Sequence, residues 1–389
     1  MSELDAELEL GTRLRERVLD PLKRLFVGKD EIVDLFGVAL VAGENLFLLG
    51  PPGTAKSALV QELGRRLHGR TFEYLLTRFT EPGEVFGPFD IRRLREGELV
   101  TNTEGMLPEA DLVFLDELLN ANSAILNSLL TVLNERTFRR GRETRALPLL
   151  MTVGASNHLP EEDALAALFD RFLLRVHCDN VPDEHLGQVL QKGWLLDLDL
   201  VPRDEGVGVD EVRRLTAALA RVDLAPVRDT YVELVLRLRH LGFALSDRRA
   251  VKFQRPIAAS ALLCGRAEAR PSDLWVLRYT WESEEQQEVL AATVDEVLAR
   301  HGVGEGGEGD HPRSRGPGAP DPETLAADLD RIEERLAAAA TDSERSWLRD
   351  RLAVLAARCA WVRGDEPRAF LGGRVEELAA RLERAGETG

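Results

Sequence analysis

A chain of 389 residues, 44% hydrophobic and 30% charged, is long enough for two or three domains with cores of their own. Its formal net charge of −17 disfavours a general nucleic-acid binder, which needs basic surface against phosphates, though not a local basic patch. No apolar run reaches the length of a membrane span, and the acidic start "MSELDAELEL" lacks a signal peptide's basic-then-apolar pattern. Cys178, Cys264 and Cys359 stand far apart and form no CxxC pair, so neither a zinc site nor a disulfide framework is expected, and a reducing cytoplasm is the expected location.

Over 1–26, Leu4, Leu8, Leu14, Val18, Leu22 and Leu25 recur at helical spacing, with Pro21 as an expected interruption. From 27 to 180 short apolar runs alternate with helical stretches. The runs are "NLFLLG" (45–50), "FEYLL" (72–76), "DLVFLDE" (111–117) and "LLMTVGASN" (149–157). Uniformly apolar runs suit strands buried on both faces of a parallel sheet, and strands separated by helices indicate an α/β domain. Residues 181–205 are expected to link it to a helical domain over 206–300. There "DEVRRLTAALARV", "DTYVELVLRLRHLGF", "DRRAVKFQRPIAASALLCGRA" and "PSDLWVLRYTWES" predict four helices bounded by Asp, Pro or Gly. The Gly/Pro-rich stretch 301–322 is expected to be a flexible linker. Beyond it, 323–389 repeats apolar residues at helical spacing: Leu325, Leu329, Ile332 and Leu336, then Trp347, Leu348, Leu352 and Leu355, then Val375, Leu378 and Leu382. This helical tail is small for an independent core and is expected to pack on something else, or to dock a partner. Trp347 and Trp361 are expected in its core rather than at a ligand site.

The stretch "LFLLGPPGTAKS" is a strand, a Gly/Pro turn and the start of a helix, the setting a phosphate-binding loop needs. Gly50 opens it and Lys56 and Ser57 close it, but Ala55 stands where the last glycine is expected. Alanine is tolerable there if it has helical torsions rather than the positive φ for which glycine is needed. Backbone N–H groups of the loop and of the helix N-terminus would face phosphates, Lys56 would reach the β/γ oxygens, and Ser57 would ligate Mg²⁺. Downstream, "DLVFLDE" places Asp116 and Glu117 at the end of a buried strand, costly unless the carboxylates have partners or a task. Asp116 would hold Mg²⁺ and Glu117 would activate the attacking water; the plain alternative is that both cap the next helix. Asn157, ending "VGASN", could bond that water or the γ-phosphate, or simply terminate its strand.

Together "GPPGTAKS", "TRFTEPGEVFGP", "LPEADLVFLDE", "AILNSLLTVLNERTFRRG", "ASNHLPEEDALAALFDRFLLR" and "SDRR" resemble the MoxR family of AAA+ ATPases, most similar to its regulatory ATPase variant A (RavA) branch. The likeness runs over residues 15–300, is most specific over 45–180, and fades thereafter. Alanine before the lysine is a habit of that family, so the loop is identified as a variant rather than a decayed site. The resemblance implies a P-loop AAA+ core with a parallel sheet, then a small all-helical lid, with the helical tail following. It implies ATP and Mg²⁺, with Gly50, Pro51, Pro52, Gly53, Thr54, Ala55, Lys56, Ser57 and Ala58 around the phosphates. Val27 and Gly28, in "FVGKD", match the loop that contacts adenine, although a simple helix-to-helix turn reads equally well. Arg171, in "FDRF", matches the arginine finger that acts on a neighbour's nucleotide, with Arg175 as the alternative. Arg248, in "SDRR", matches the sensor-2 arginine that ties the lid to the phosphates, with Arg249 beside it.

Residues 80–107 look like the family's helix-2 insert and 135–148 like its hairpin before sensor 1, with Gly141 at the tip. Arg136, Arg139, Arg140, Arg142 and Arg145 could engage an acidic segment or a nucleic-acid backbone, or could pair with neighbouring carboxylates. The resemblance thus implies a hexameric ring that hydrolyses ATP to remodel, mature or activate a protein, with a von Willebrand factor A domain protein as partner. An ATP-controlled assembly switch with incidental turnover is the alternative. A nucleic-acid motor is disfavoured by the acidic balance, and a metal-chelatase subunit differs only in its partner.

Overall fold

In the computed structural model the apolar runs become strands β1 (Leu46–Leu49), β2 (Thr71–Leu75), β3 (Leu112–Asp116) and β6 (Met151–Ser156). A fifth, β7 (Leu174–His177), joins them, and a separate hairpin is formed by β4 (Thr137–Arg140) and β5 (Glu143–Ala146). The structure describes residues 3–387 except 98, 141–142, 161, 204–205, 302–308, 316–321 and, apart from 348, 352, 355, 356 and 359, residues 339–364. The described chain divides into two units, Met1–Ser314 and Arg315–Gly389.

In the first unit the five strands pair in parallel in the order β2-β3-β6-β1-β7. β1 and β6 lie inside the sheet and are buried along their whole length, as uniformly apolar strands must be. Helix α3 (Asp30–Ala42) is buried nearly all round, because it meets the sheet on one side and the lid on the other. Helix α4 (Lys56–Arg66) turns Leu59, Val60 and Leu63 inward and packs on β2 and β3.

The lid is built from α10 (Val209–Ala218), α11 (Arg228–His240), α12 (Asp247–Leu263), a 3₁₀ segment (Pro271–Tyr279) and α13 (Glu284–Arg300). Ser246 caps α12, its hydroxyl accepting from the Arg249 N–H at 3.3 Å. The N-terminal stretch forms α1 (Glu3–Leu14), a π-helical turn (Arg15–Leu19) and α2 (Asp20–Leu25), and α1 packs on α10 and α12. The described residues of this stretch are therefore joined to the lid through α1 rather than standing apart. Pro21 sits in the first turn of α2, where its missing N–H costs nothing, and the expected interruption takes the form of the π turn before it.

Two stretches expected as linkers hold ordered structure. Residues 181–205 contain α9 (Leu186–Asp197). In the Gly/Pro-rich stretch, residues 309–314 form a strap within the first unit. His311 stacks on Trp275 with ring centroids 4.5 Å apart, and Arg313 Nε donates to Asp34 Oδ2 at 2.9 Å. Ser272 Oγ donates to Asp310 Oδ1 at 2.9 Å. Composition hid this strap, because a few side chains with buried partners outweigh the glycines around them.

The second unit has its own core. Leu325, Leu329 and Ile332 of helix Pro322–Ala338 meet Leu371, Leu378 and Leu382 of helix Asp365–Glu387, with Leu348, Leu352, Leu355 and Cys359 between. The tail thus forms a small core of its own, against expectation. Trp347 and Trp361 lie outside the described residues. Among the described residues no helix is long and apolar enough to cross a membrane.

Candidate nucleotide site

Parallel strands deliver their carboxyl ends to one edge of the sheet, where α/β proteins bind ligands. Leu49 is in register with Ser156 and with His177, and Leu115 with Gly154. The residues that follow β1, β3 and β6 therefore emerge side by side: the loop from Gly50, the pair Asp116 and Glu117, and Asn157. The Gly50 N–H donates to Ser156 O at 3.0 Å, which puts the loop directly against Asn157.

The loop has the shape of an anion cradle. A Cβ on Gly50 would lie 2.3 Å from Cys178 O, so glycine is required there by close backbone approach. Lys56 Nζ donates to Gly50 O at 2.9 Å and to Pro51 O at 2.8 Å, which folds its ammonium over the loop. No side chain caps α4, so the amides of its first turn are turned to the concavity without a built-in anion. Ala55 sits at φ 67° and ψ 24°, the left-handed region. The expected condition for alanine there, helical torsions, is thus not met, and the position carries about 1 kcal/mol or more of backbone strain. These donors suit phosphate, and Ser57 and Asp116 supply the oxygen donors that suit Mg²⁺.

Asp116 is half-buried, and its Oδ1 accepts from the Glu117 N–H at 3.0 Å. Glu117 is itself left-handed at φ 49°, and its Oε2 accepts from Asn120 Nδ2 at 3.4 Å. Glu117 precedes the 3₁₀ turn Leu118–Asn120 without a side-chain capping bond. The helix that follows, α7 (Ser123–Glu135), is capped by Asn122 instead, whose Oδ1 accepts from Ala124 and Ile125 N–H at 3.1 Å each. The Asn122 amide also donates to Thr80 O at 2.7 Å and so ties the start of the insert to the carboxylate strand. Sequence reasoning missed Asn120 and Asn122, although an Asn ahead of "SAILN" is a readable N-cap signal.

Val27 and Gly28 reach the same edge. Gly28 is left-handed at φ 70°, where a Cβ would lie 3.0 Å from Val181 Cγ1, and Lys29 Nζ donates to Asp179 O. The segment 178–181 that receives them begins where Cys178 N–H donates to Leu49 O at 2.8 Å, beside the loop.

Arg171 is elsewhere. Its carbonyl accepts from Asn45 Nδ2 at 3.1 Å, and Asn45 precedes β1, so Arg171 marks the amino edge of the sheet. The length of β1, about 13 Å at 3.3 Å per residue, separates it from its own loop. It lines a pocket with Asp170, Leu173, Ser246, Arg248, Arg249 and Lys252. Its Nη1 donates to Asp170 Oδ2 at 3.3 Å, while its Nε is buried without a partner. Arg248 is exposed in that pocket, on the Arg171 side and not over Lys56.

The two alternatives have structural tasks. Arg175, on β7, is wholly buried. It donates to Phe172 O at 3.1 Å, Phe169 O at 3.2 Å and Trp281 O at 2.5 Å, and burial pushes its pKa well below the usual arginine value. No buried arginine so engaged can reach a neighbour. Arg249 is buried too, bonded to Glu282 Oε1 at 2.5 Å and to Thr280 O at 3.3 Å.

The hairpin arginines are mostly committed. Arg136 donates to Gly43 O at 2.9 Å, Asn45 Oδ1 at 3.2 Å and Leu149 O at 3.4 Å, and burial lowers its pKa to about 10. Arg139 pairs with Glu135 at 2.8 Å, and Arg145 donates to Thr103 Oγ1 at 3.2 Å and Pro108 O at 3.1 Å. Gly141 and Arg142 lie outside the described residues, as does the Arg140 side chain.

Residues 12–217 match the family described as the MoxR domain in the MoxR-vWA-beta-propeller ternary systems, and residues 228–294 match an AAA lid domain. The uncharacterized protein MJ0812 of Methanocaldococcus jannaschii is 34% identical over 271 residues, covering 69% of this chain and 71% of its own. The chaperone MoxR1 of Mycobacterium tuberculosis is 25% identical over 280 residues, covering 67% of this chain and 72% of its own. The crystal structure of a candidate ATPase from Cytophaga hutchinsonii superposes with a TM-score of 0.60 at 17% identity, over 75% of this chain and 95% of the other, which speaks for the fold.

Proposed function

Because the chain belongs to the MoxR family of AAA+ ATPases, we propose that it hydrolyses ATP at a site shared between two copies, in a ring that acts on a protein partner. The family implies nucleotide binding, and the observation that carries the rest is the division of the machinery. The loop, Asp116, Glu117 and Asn157 converge at one edge of the sheet, while Arg171 and Arg248 share a pocket at the other. A subunit cannot complete its own site, whereas a head-to-tail neighbour can.

In this reading the amides from Gly53 to Ala58 and the Lys56 ammonium hold the phosphates, and Val27 and Gly28 flank the adenine. Ser57 and Asp116 would hold Mg²⁺, whose charge would offset that of the phosphates. Glu117, fixed by Asn120, takes a proton from the attacking water, and Asn157 orients that water. The partner copy's arginines offset the charge that develops on the transferred phosphoryl group.

The matched domain description supports a von Willebrand factor A domain partner, and the likeness to a named chaperone supports protein remodelling. A place near the RavA branch rests on the motif run alone. A hexamer fits a head-to-tail interface that closes. Turnover per subunit as a function of protein concentration tests the shared site. A steep rise is expected, and substantial turnover independent of concentration would rule it out. Glu117→Gln separates motor from switch: a motor keeps ATP binding and loses function, whereas a switch keeps both.

A further inference from the structure

Lys29 closes the turn between α2 and α3 that carries Val27 and Gly28, and it is only 7% exposed. Its ammonium donates to Asp179 O, and among the described residues no carboxylate pairs with it. A cation taken out of water and given one carbonyl costs stability that an apolar side chain of the same length would not. Lys29 also stands at the N-terminus of α3, the end where the helix dipole disfavours a positive charge. On stability grounds lysine is a poor choice at this position.

The carbonyl that receives it belongs to a segment whose other contacts are with the phosphate loop. Cys178 N–H donates to Leu49 O at 2.8 Å, and the wholly buried Cys178 thiol donates to Thr54 O at 3.4 Å. Cys178 O is the atom that a Cβ on Gly50 would meet at 2.3 Å. Val181 stands against Gly28, where a Cβ would lie 3.0 Å from its Cγ1. The four residues 178–181 therefore touch the loop with their first residue and the 27–29 turn with their second and fourth. That turn is held to the segment by the close approach of Gly28 and by the Lys29 ammonium.

We propose that Lys29 is a positioning residue for the nucleotide base, an inference that rests on the nucleotide reading of the loop. By fixing the turn on Asp179 it sets the gap between the turn and the phosphate loop. A ligand that reaches both then binds without first having to order the turn. A ligand made of phosphates alone needs only the loop and gains nothing from Lys29. The residue thus favours a nucleoside triphosphate over an inorganic triphosphate.

Calorimetric titration with Mg-ATP and, separately, with Mg-tripolyphosphate tests this on the full chain carrying Glu117→Gln, so that ATP is bound and not consumed. The same chain with Lys29→Met added keeps the apolar stem and loses the donor. Lys29→Leu replaces it if that variant melts early. ATP affinity is expected to fall about tenfold, as for loss of one hydrogen bond from a charged donor, with tripolyphosphate affinity unchanged. An equal loss for both ligands would assign Lys29 to the phosphate loop, and no loss for either would leave it a brace between two loops. Either result overturns the base-positioning role. Equal affinities of the parent chain for the two ligands would overturn it too, since no base would then be read, while the phosphate loop would stand. If the parent chain binds neither ligand, the nucleotide reading falls with it.

Discussion

Ala55 and Glu117 sit at φ 67° and 49°, two side-chain-bearing residues held left-handed at the two ends of the phosphate chemistry. Replacing Ala55 with glycine relieves the first, so Ala55→Gly is expected to raise unfolding stability by about 1 kcal/mol in denaturant titration. Arginines of one motif divide in the same concrete way. Arg171→Ala should leave the melting temperature unchanged and reduce turnover by about 10³-fold or more, as loss of a finger does. Arg175→Met should instead destabilise by about 3 kcal/mol, because three buried carbonyls lose their donor. Loop lysine, serine and the carboxylate pair were legible as residues, since the chemistry requires those types at that spacing. Which arginine keeps some exposure was not legible, because Arg171 and Arg175 differ only in which carbonyls and carboxylates the fold sets around them.

Among the elements, β1, β3 and β6 were plain from unbroken apolar runs, and the parallel sheet followed from the helices between them. β7 escaped notice because Arg175 interrupts its run, and only folding supplies the carbonyls that make that burial tolerable. Helix α9 read as linker although Leu186, Leu190, Trp194 and Leu198 recur at four-residue spacing; these face outward, while Leu196 packs on the core. The strap was masked by glycines. It carries a pH prediction, because burial against Trp275 lowers the His311 pKa from 6.5 to about 4. Lys23, Arg266 and Arg313 around it add to that shift, and Asp34, 3.9 Å away, opposes it. The folded pKa is lower than the unfolded one, so the unfolded chain binds the proton first as pH falls. Stability is therefore lost from pH 6.5 downward to about 4, at up to about 1.4 kcal/mol per pH unit. Thermal melts of the wild type and His311→Gln across that range check it: the variant should lose this component of the acid sensitivity.

At the scale of the molecule the fold sets the loop, Asp116, Glu117 and Asn157 at one edge of the sheet and Arg171 with Arg248 at the other, which the proposed mechanism treats as two halves of one reaction. Composition, with its charge of −17, excluded little beyond a general nucleic-acid binder, and no residue pattern by itself says that a site is divided. The division becomes visible only when Asn45 ties Arg171 to the start of β1 while Gly50 leaves from its end. The most direct test is ATP turnover by an equimolar mixture of Lys56→Ala and Arg171→Ala, each inactive alone. If a neighbour completes the site, the mixture recovers about a quarter of wild-type turnover, since random assembly pairs a sound loop with a sound arginine at that frequency. A mixture as inactive as its components, while the wild type turns over, would contradict a site shared between copies.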